Sequence, residues 1–451
     1  MIMENDLGND HIKTLVLRIA IPSMLAQFVS VFYSIIDRMY IGNIPEVGAL
    51  ALAGVGVCGP VITMIGSIAS LVGIGGAPLM SMKLGEGKKE EAARILANAF
   101  LLLTIFAIAL VAIIFPLREP MLKLFGASDA TWPYANTYFS VYLTGTIFAL
   151  LSTGMNQYII CQGFSKIAMK SVLLGAILNI ILDPIFIFGF DKGVAGAAIA
   201  TVLSQLASCI FVLLFLFGEN VPVRISFHGY QFKVIGNILK IGMTPFIIVA
   251  FDNVMIIAMN AILQKYGGVA NGDTLVTCAT IAQSFMLVVT MPLGGITGGT
   301  QTILAFNFGA KQYDRVKKAE KYIVFLSLIY TTILFILAQL AGPLFVRLFT
   351  SDVELSKQAF SAIRICTLAI IPLAIQYAIV DGLTGLGQVQ YSLPLSTLRK
   401  GIYFIALFIL PSIWGAEATF YAEPISDIIS PILSSIVYFI AMHKILKPKS
   451  M

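Results

Sequence analysis

Acidic side chains recur inside long apolar stretches of this chain, where an ionised carboxylate costs roughly 2.5–3.5 kcal/mol even on a lenient insertion scale. Each therefore asks for a chemical reason. Asp37 lies in Tyr33-Ser34-Ile35-Ile36-Asp37-Arg38, and Asp183 in Leu178-Asn179-Ile180-Ile181-Leu182-Asp183-Pro184. Asn179 precedes Asp183 by four residues, so the two share a helix face. Pro184 removes a backbone donor and frees carbonyls on the preceding turn. Two carboxylates, an amide and loosened carbonyls are hard oxygen ligands for Na⁺, and they equally suit a proton shared between acids. Arg38 points about 100° away from Asp37 on a helix and is a poor direct partner. A second group, Glu423 and Asp427, is spaced four apart with Pro424 between them and Glu417 shortly before. It suits substrate or proton handling, or else capping and packing. Asp252 and Asp381 stand alone in their helices and complete the candidate second-lobe site. A negatively lined cavity favours cationic cargo.

The elements that must hold these groups are membrane helices. Of the 451 residues 58% are apolar and 12% charged, with a mean hydropathy of +0.91, too few charges to cover a soluble globule. Apolar runs near or above the ~20 residues needed to cross a bilayer recur from Leu15 to Leu446. None alternates with period two, so helices do the spanning. The reading gives twelve spans, at 14–42, 50–84, 95–117, 134–162, 165–190, 193–218, 236–266, 274–308, 319–345, 357–386, 390–411 and 414–443. The first is too long for a signal-peptide core and reads as a retained helix. With both termini cytoplasmic, the inner tails and loops hold 21 of the 29 Lys and Arg, among them Lys83, Lys88, Lys89, Arg94, Lys311, Arg315, Lys317, Lys318 and Lys321. That distribution accounts for the net charge of +6 without a nucleic-acid partner.

The second half repeats the first at a shift of 223 to 224 residues. Pro22 falls on Pro245, Gly85 on Gly309, Arg94 on Lys318, Leu124-Phe125 on Leu348-Phe349 and Gly163 on Gly387. Six helices per half make the repeats parallel, with a substrate path between lobes that rock against each other. The lobes are 14–218 and 236–446, joined by a polar cytoplasmic hinge over 219–235. At this shift Asn260 and Leu407 replace Asp37 and Asp183, so the ion site belongs to the first lobe only.

Several chemistries are excluded. No G-x-x-x-x-G-K-[ST] loop is present, so ATP hydrolysis through a P-loop is not the energy source. The G-x-G-x-x-G at Gly54, Gly56 and Gly59 lies in a hydrophobic span and reads as close helix packing, as do Gly295 and Gly299. His11, His228 and His443 fall in tails or the hinge, and the five cysteines are scattered through the spans. Neither a metal centre, a disulfide frame nor an intramembrane hydrolase is indicated.

Taken together, the duplicated six-helix layout, Pro22, Ile36-Asp37-Arg38-Met39-Tyr40-Ile41-Gly42, the Gly85 and Gly309 loops, and Asn179 to Pro184 followed by Gly193-Val194-Ala195-Gly196-Ala197-Ala198 resemble the multidrug and toxic compound extrusion (MATE) family. The similarity covers essentially the whole chain and points to the MepA-like branch, related to the DinF-type branch. It implies an all-α integral membrane protein of twelve transmembrane helices in two pseudo-symmetric six-helix lobes. The implied activity is export of small amphipathic cations and antibiotics from the cell across the inner (plasma) membrane, in exchange for H⁺ or Na⁺, with no other cofactor. The resemblance places a cation site on Asp37, Asn179, Asp183 and Thr201, with Pro22 and Tyr33 serving helix-1 bending and gating. Acids that NorM-type relatives carry in helices 7 and 10 have no equivalents at Asp252 and Asp381, and Ile160 replaces a basic residue near the end of helix 4. A monomeric transporter is the expectation. A lipid-linked precursor flippase of the same superfamily would line its cavity with Arg or Lys, of which almost none is read away from helix ends. A membrane enzyme or receptor would need a triad, metal cluster or signalling domain, and none is visible.

Overall fold

The structure is a computed structural model that describes residues 5–350 and 352–445; position 446, the expected end of the second lobe, lies outside them. The first lobe holds α1 (Ile12–Gly42), α2 (Gly48–Gly85), α3 (Lys89–Leu124), α4 (Trp132–Thr144), α5 (Thr146–Ile160), α6 (Ser165–Pro184) and α7 (Gly193–Phe217). The second holds α8 (Phe232–Gly268), α9 (Asn271–Gly309), α10 (Tyr313–Val346), α11 (Val353–Cys366), α12 (Ile370–Gly385), α13 (Val389–Trp414) and α14 (Ala422–Ile445). A π-turn, Ile185–Gly189, continues α6 past Pro184, and a 3₁₀ turn, Ala416–Tyr421, leads into α14.

Ten segments are long and apolar enough to cross a membrane, and two further spans are each a bent pair. The pair α4–α5 bends by 57° and α11–α12 by 48°, both within spans that the apolar runs present as continuous. Gly145 marks the first bend, and a Cβ there would come within 2.5 Å of Val202 on α7. Side-chain-free backbone lets α7 press into the break. The α8–α9 connection turns at Gly268, whose φ of 64° suits glycine.

The duplication persists in the backbone. Gly163 and Gly387, which follow the two bent pairs, both have positive φ, at 91° and 70°. Gly87 and Lys311, one per lobe, do likewise at 77° and 60°.

The lobes are fused at the end of the molecule that carries both termini. There a Cβ on Gly85 would lie 2.0 Å from the Phe306 carbonyl oxygen, and one on Gly309 2.1 Å from that of Met82. Gly75 and Gly242 meet backbone of the opposite lobe as closely, and Gly295 and Gly299 press on Ser23 of α1. The glycines thus permit backbone-to-backbone contact between helices, as in other membrane interfaces. Of the G-x-G-x-x-G, only Gly54 packs tightly, against Thr131 and Tyr134; Gly56 and Gly59 face open space, which corrects the packing expectation for those two. One buried core runs from the first lobe into the nearby half of the second, including Ile303, Val316, Leu383 and Met442. The far half of the second lobe, around Met259, Phe285 and Leu407, has a core of its own. Contact at one end and separate cores at the other describe a cleft closed on the terminal side.

The connector is less free than a hinge. Val221, Val223 and Ile225 are buried, the Val223 N–H donates to Gln162 Oε1 at 2.8 Å, and the Gln231 N–H donates to Asn98 Oδ1 at 3.0 Å. A short N-terminal segment spans both lobes. Asn5 Nδ2 donates to the Gly163 carbonyl at 2.8 Å, while Asn307 Nδ2 and an Arg315 NH2 group donate to the Leu7 carbonyl at 3.0 and 3.2 Å.

Replacing Gly309 with alanine should destabilise this closed arrangement by about 1–3 kcal/mol, the usual cost of overpacking. A lowered melting temperature of the purified protein would register it, with Gly56→Ala, which meets no atom within 4 Å, as the neutral control.

Candidate functional site in the first lobe

Helices α1, α4, α6 and α7 bring a polar cluster together inside the first lobe. α6 carries Asn179 and Asp183 one turn apart, both buried, and Asn179 Nδ2 donates to Asp183 Oδ1 at 3.1 Å. The same Nδ2 lies 3.5 Å from Thr201 Oγ1 on α7. From α1, Asp37 comes within side-chain hydrogen-bonding reach of Asp183, and Tyr33, one turn earlier, stands close to both carboxylates. Arg38 is exposed and turns away. The four residues expected to form a cation site, and Tyr33 with them, are therefore neighbours.

Three more side chains join them. Tyr138 reaches Thr201, Tyr142 reaches Gln205, and the two tyrosine rings stack at 6.5 Å. None of these was singled out from the sequence. Aromatic residues are so common here that type alone carries no signal, although Gln205 follows Thr201 by one turn and shares its face.

Acceptors outnumber donors in this cluster. Asp37 Oδ1, Asp183 Oδ2, Asn179 Oδ1 and Gln205 Oε1 are all buried with no hydrogen-bond partner among the described residues. Buried acceptors are ordinarily paired, and each orphan costs about 1–3 kcal/mol. A site lined by unpaired oxygens, two of them on carboxylates, calls for donors from outside the chain, which a cation, protons or water can supply. The ring of hard oxygens fits H⁺ or Na⁺ by donor type.

Pro22 is elsewhere. It lies about 22 Å along the α1 axis from Asp37, beside Ser23, at the glycine contact with α9. A polar cavity of about 110 Å³ opens there, lined by Ser23, Gln27, Asn156, Gln157, Gln301 and Thr302, with room for several waters.

The second-lobe candidates are arranged differently from the expectation that Asp252 stands alone and that basic residues are scarce in the interior. Arg399 and Lys400, near the start of the span expected at 390–411, are buried in α13. Arg399 Nε donates to Asp427 Oδ1 at 2.7 Å and an Arg399 NH2 group to Glu423 Oε1 at 3.1 Å. Lys400 pairs with Asp252. Asp381 accepts from Thr297 Oγ1 at 2.5 Å. Glu417 lies in the 3₁₀ turn beside an outer pocket with Tyr266 and Trp414. Cations meet Asp252, Glu423 and Asp427, whereas Asp381 has only neutral hydrogen-bond donors and Glu417 is exposed, so the ion-paired acids give the cleft less negative lining than their sequence positions imply.

Substituting Arg399 by methionine would leave Asp427 and Glu423 buried without a counter-charge. We expect a loss of about 3–5 kcal/mol, read as a fall in melting temperature in detergent, and substantial recovery when Asp427→Leu and Glu423→Leu are added.

Comparison with known proteins bears on the whole chain. The MatE family profile matches twice, over residues 22–185 and 246–409, so the second match begins 224 residues after the first, in agreement with the internal repeat. "Multidrug export protein MepA" of Staphylococcus aureus (strain MSSA476) is 23% identical over 432 residues, which covers 94% of this chain and 93% of that protein. Among solved structures, "Crystal structure of MATE in the straight conformation" superposes with a TM-score of 0.91 at 22% identity, covering 98% of each chain. "Outward-facing conformation of a multidrug resistance MATE family transporter of the MOP superfamily" superposes at 0.89, also with 22% identity and 98% coverage of each. With two repeats of the profile laid over two bundles of membrane helices, this chain belongs to the MATE family of multidrug efflux transporters and is a multi-pass membrane protein.

Proposed function

We propose that this transporter is an antiporter, which exports small amphipathic organic cations against an inward flow of H⁺ or Na⁺ loaded at Asp37, Asn179, Asp183 and Thr201. The observation that carries the reading is the set of buried, unpartnered oxygens in the first lobe, two of them on neighbouring carboxylates, which a cation or protons would complete. An ion drives a conformational cycle only through different affinities for its two states. The closed terminal side and the cleft beyond it give one such state, in which Asp37 is partly buried and Asp183 fully so. Filling the site ties α1 to α6 and α7. Because α1 also supplies Ser23 to the contact with α9, strain on α1 is felt at the lobe interface.

The proposed setting is the inner (plasma) membrane with both termini in the cytoplasm, supported by the basic residues around Lys83, Lys88, Lys311 and Lys317 on the terminal side. The unit of function is a monomer, since a single chain supplies the whole candidate site. A flippase for lipid-linked precursors is less well supported. It needs cations free to hold pyrophosphate, and Arg399 and Lys400 are both engaged by acids.

Everted vesicles with a fluorescent organic cation, given a pH gradient or a Na⁺ gradient separately, test transport, ion and direction together. Uptake driven by one of the two is the expected result. Asp183→Asn should abolish drug efflux from cells while the protein stays folded in the membrane, and undiminished efflux would remove Asp183 from the mechanism.

A further inference from the structure

The second lobe contains a carboxyl pair that no counter-charge reaches. Glu320, on α10, is 6% exposed, and its Oε1 has no hydrogen-bond partner among the described residues. Its carboxyl group rests on α12 at Gly382, where a Cβ would sit 2.8 Å from both Glu320 oxygens. Asp381 is the adjacent residue and lies within electrostatic range of Glu320. Asp381 is held on its other side by Thr297 Oγ1 and reached by Gln301, both from α9. One turn along α12, Gly385 leaves space for the Gln301 stem, since a Cβ there would meet Gln301 at 3.0 Å. Two glycines spaced three apart thus make room for the groups on either side of Asp381.

Among the described residues no cation offsets this pair. Lys317, Lys318 and Lys321 on the same helix as Glu320 are exposed, as is His443 at the end of α14. Arg315 donates to the N-terminal carbonyls, Arg18 of α1 pairs with Asp10 at 3.6 Å, and Arg399 and Lys400 of α13 are committed to Asp427, Glu423 and Asp252. The remaining titratable neighbours are Tyr377 of α12 and Tyr438 of α14, which are uncharged at neutral pH. Glu320 is buried and Asp381, the neighbour of Gly382, is half-buried, and two carboxylates so placed without a cation repel one another and are poorly solvated.

From this geometry we propose that Glu320 and Asp381 form a second proton-binding site, in the terminal half of the second lobe, that carries at least one proton at neutral pH. Gln301 links the pair to the polar cavity between the lobes, which it also lines, so water there provides the proton route. The cavity borders the glycine contacts that close the terminal side, and parting of the lobes opens it. Proton occupancy of this pair is independent of which ion fills the first-lobe site.

The test is infrared difference spectroscopy of the full-length protein in lipid between acid and alkaline pH. An Asp37→Asn, Asp183→Asn background keeps the first-lobe acids from contributing. At neutral pH a protonated-carboxyl C=O band should be present and should disappear in Glu320→Gln, with about one proton fewer released on alkalinisation. Glu320→Met, of similar length, provides the same reading should the glutamine variant not assemble. A band of unchanged amplitude in a folded Glu320 variant overturns the proposal. So does a band that declines when Na⁺ is added to the parent at fixed pH, because the pair would then hold a metal ion instead.

Discussion

Carboxylates taken out of water must be met by positive charge, by hydrogen-bond donors or by protons, and the architecture of this transporter follows from how that demand is answered at each acid. In the second lobe Arg399 bridges Glu423 and Asp427, and Lys400 holds Asp252, so α13 is tied to both α14 and α8. In the first lobe no such cation enters. Asp37 and Asp183 face each other with an amide and a hydroxyl beside them, and oxygens are left over. The acids of α8 and α14 are therefore met by cations within the second lobe, while those of the first-lobe cluster are left without one.

Much of this was legible in the residue pattern, for identifiable reasons. Apolar runs mark twelve spans because lipid imposes length and composition together, and both bent pairs still read as single spans. Asn179 and Asp183 were paired by helical spacing alone, and the repeat confined the candidate ion site to one lobe. The bends were hidden, because Gly145 breaks its span through a tertiary contact with Val202 that no local rule reveals. The second-lobe ion pairs were hidden as well. Arg399 lies 28 residues from Asp427, and Lys400 lies 148 from Asp252, so neither pairing has a periodic signature. Both cations follow a loop closely enough to be mistaken for topogenic charge. Glu320 was masked by the basic run around it, although its neighbours on the helix turn outward and it turns in.

Glycine is the other determinant of the closed state. Helices in lipid gain little from apolar contact alone, and close approach of their backbones supplies dispersion instead. Gly75, Gly85, Gly242, Gly295, Gly299 and Gly309 are distributed over both lobes, so neither presents a purely receptive surface to the other. The N-terminal segment adds polar bonds from Asn307 and Arg315 across the same seam. Separation of the lobes at this end must break those bonds and leave the seam to water.

The unequal treatment of charge also has an electrical side. The Lys400–Asp252 ion pair is close to a neutral dipole, on which a uniform transmembrane field exerts no net force. A bare ion that reaches the Asp37–Asp183 region from outside traverses part of that field, and a full traverse is worth about 2.3 kcal/mol per 100 mV. Membrane voltage would accordingly add to the concentration gradient when the first lobe fills, and it would leave the Lys400–Asp252 pair of the second undisturbed.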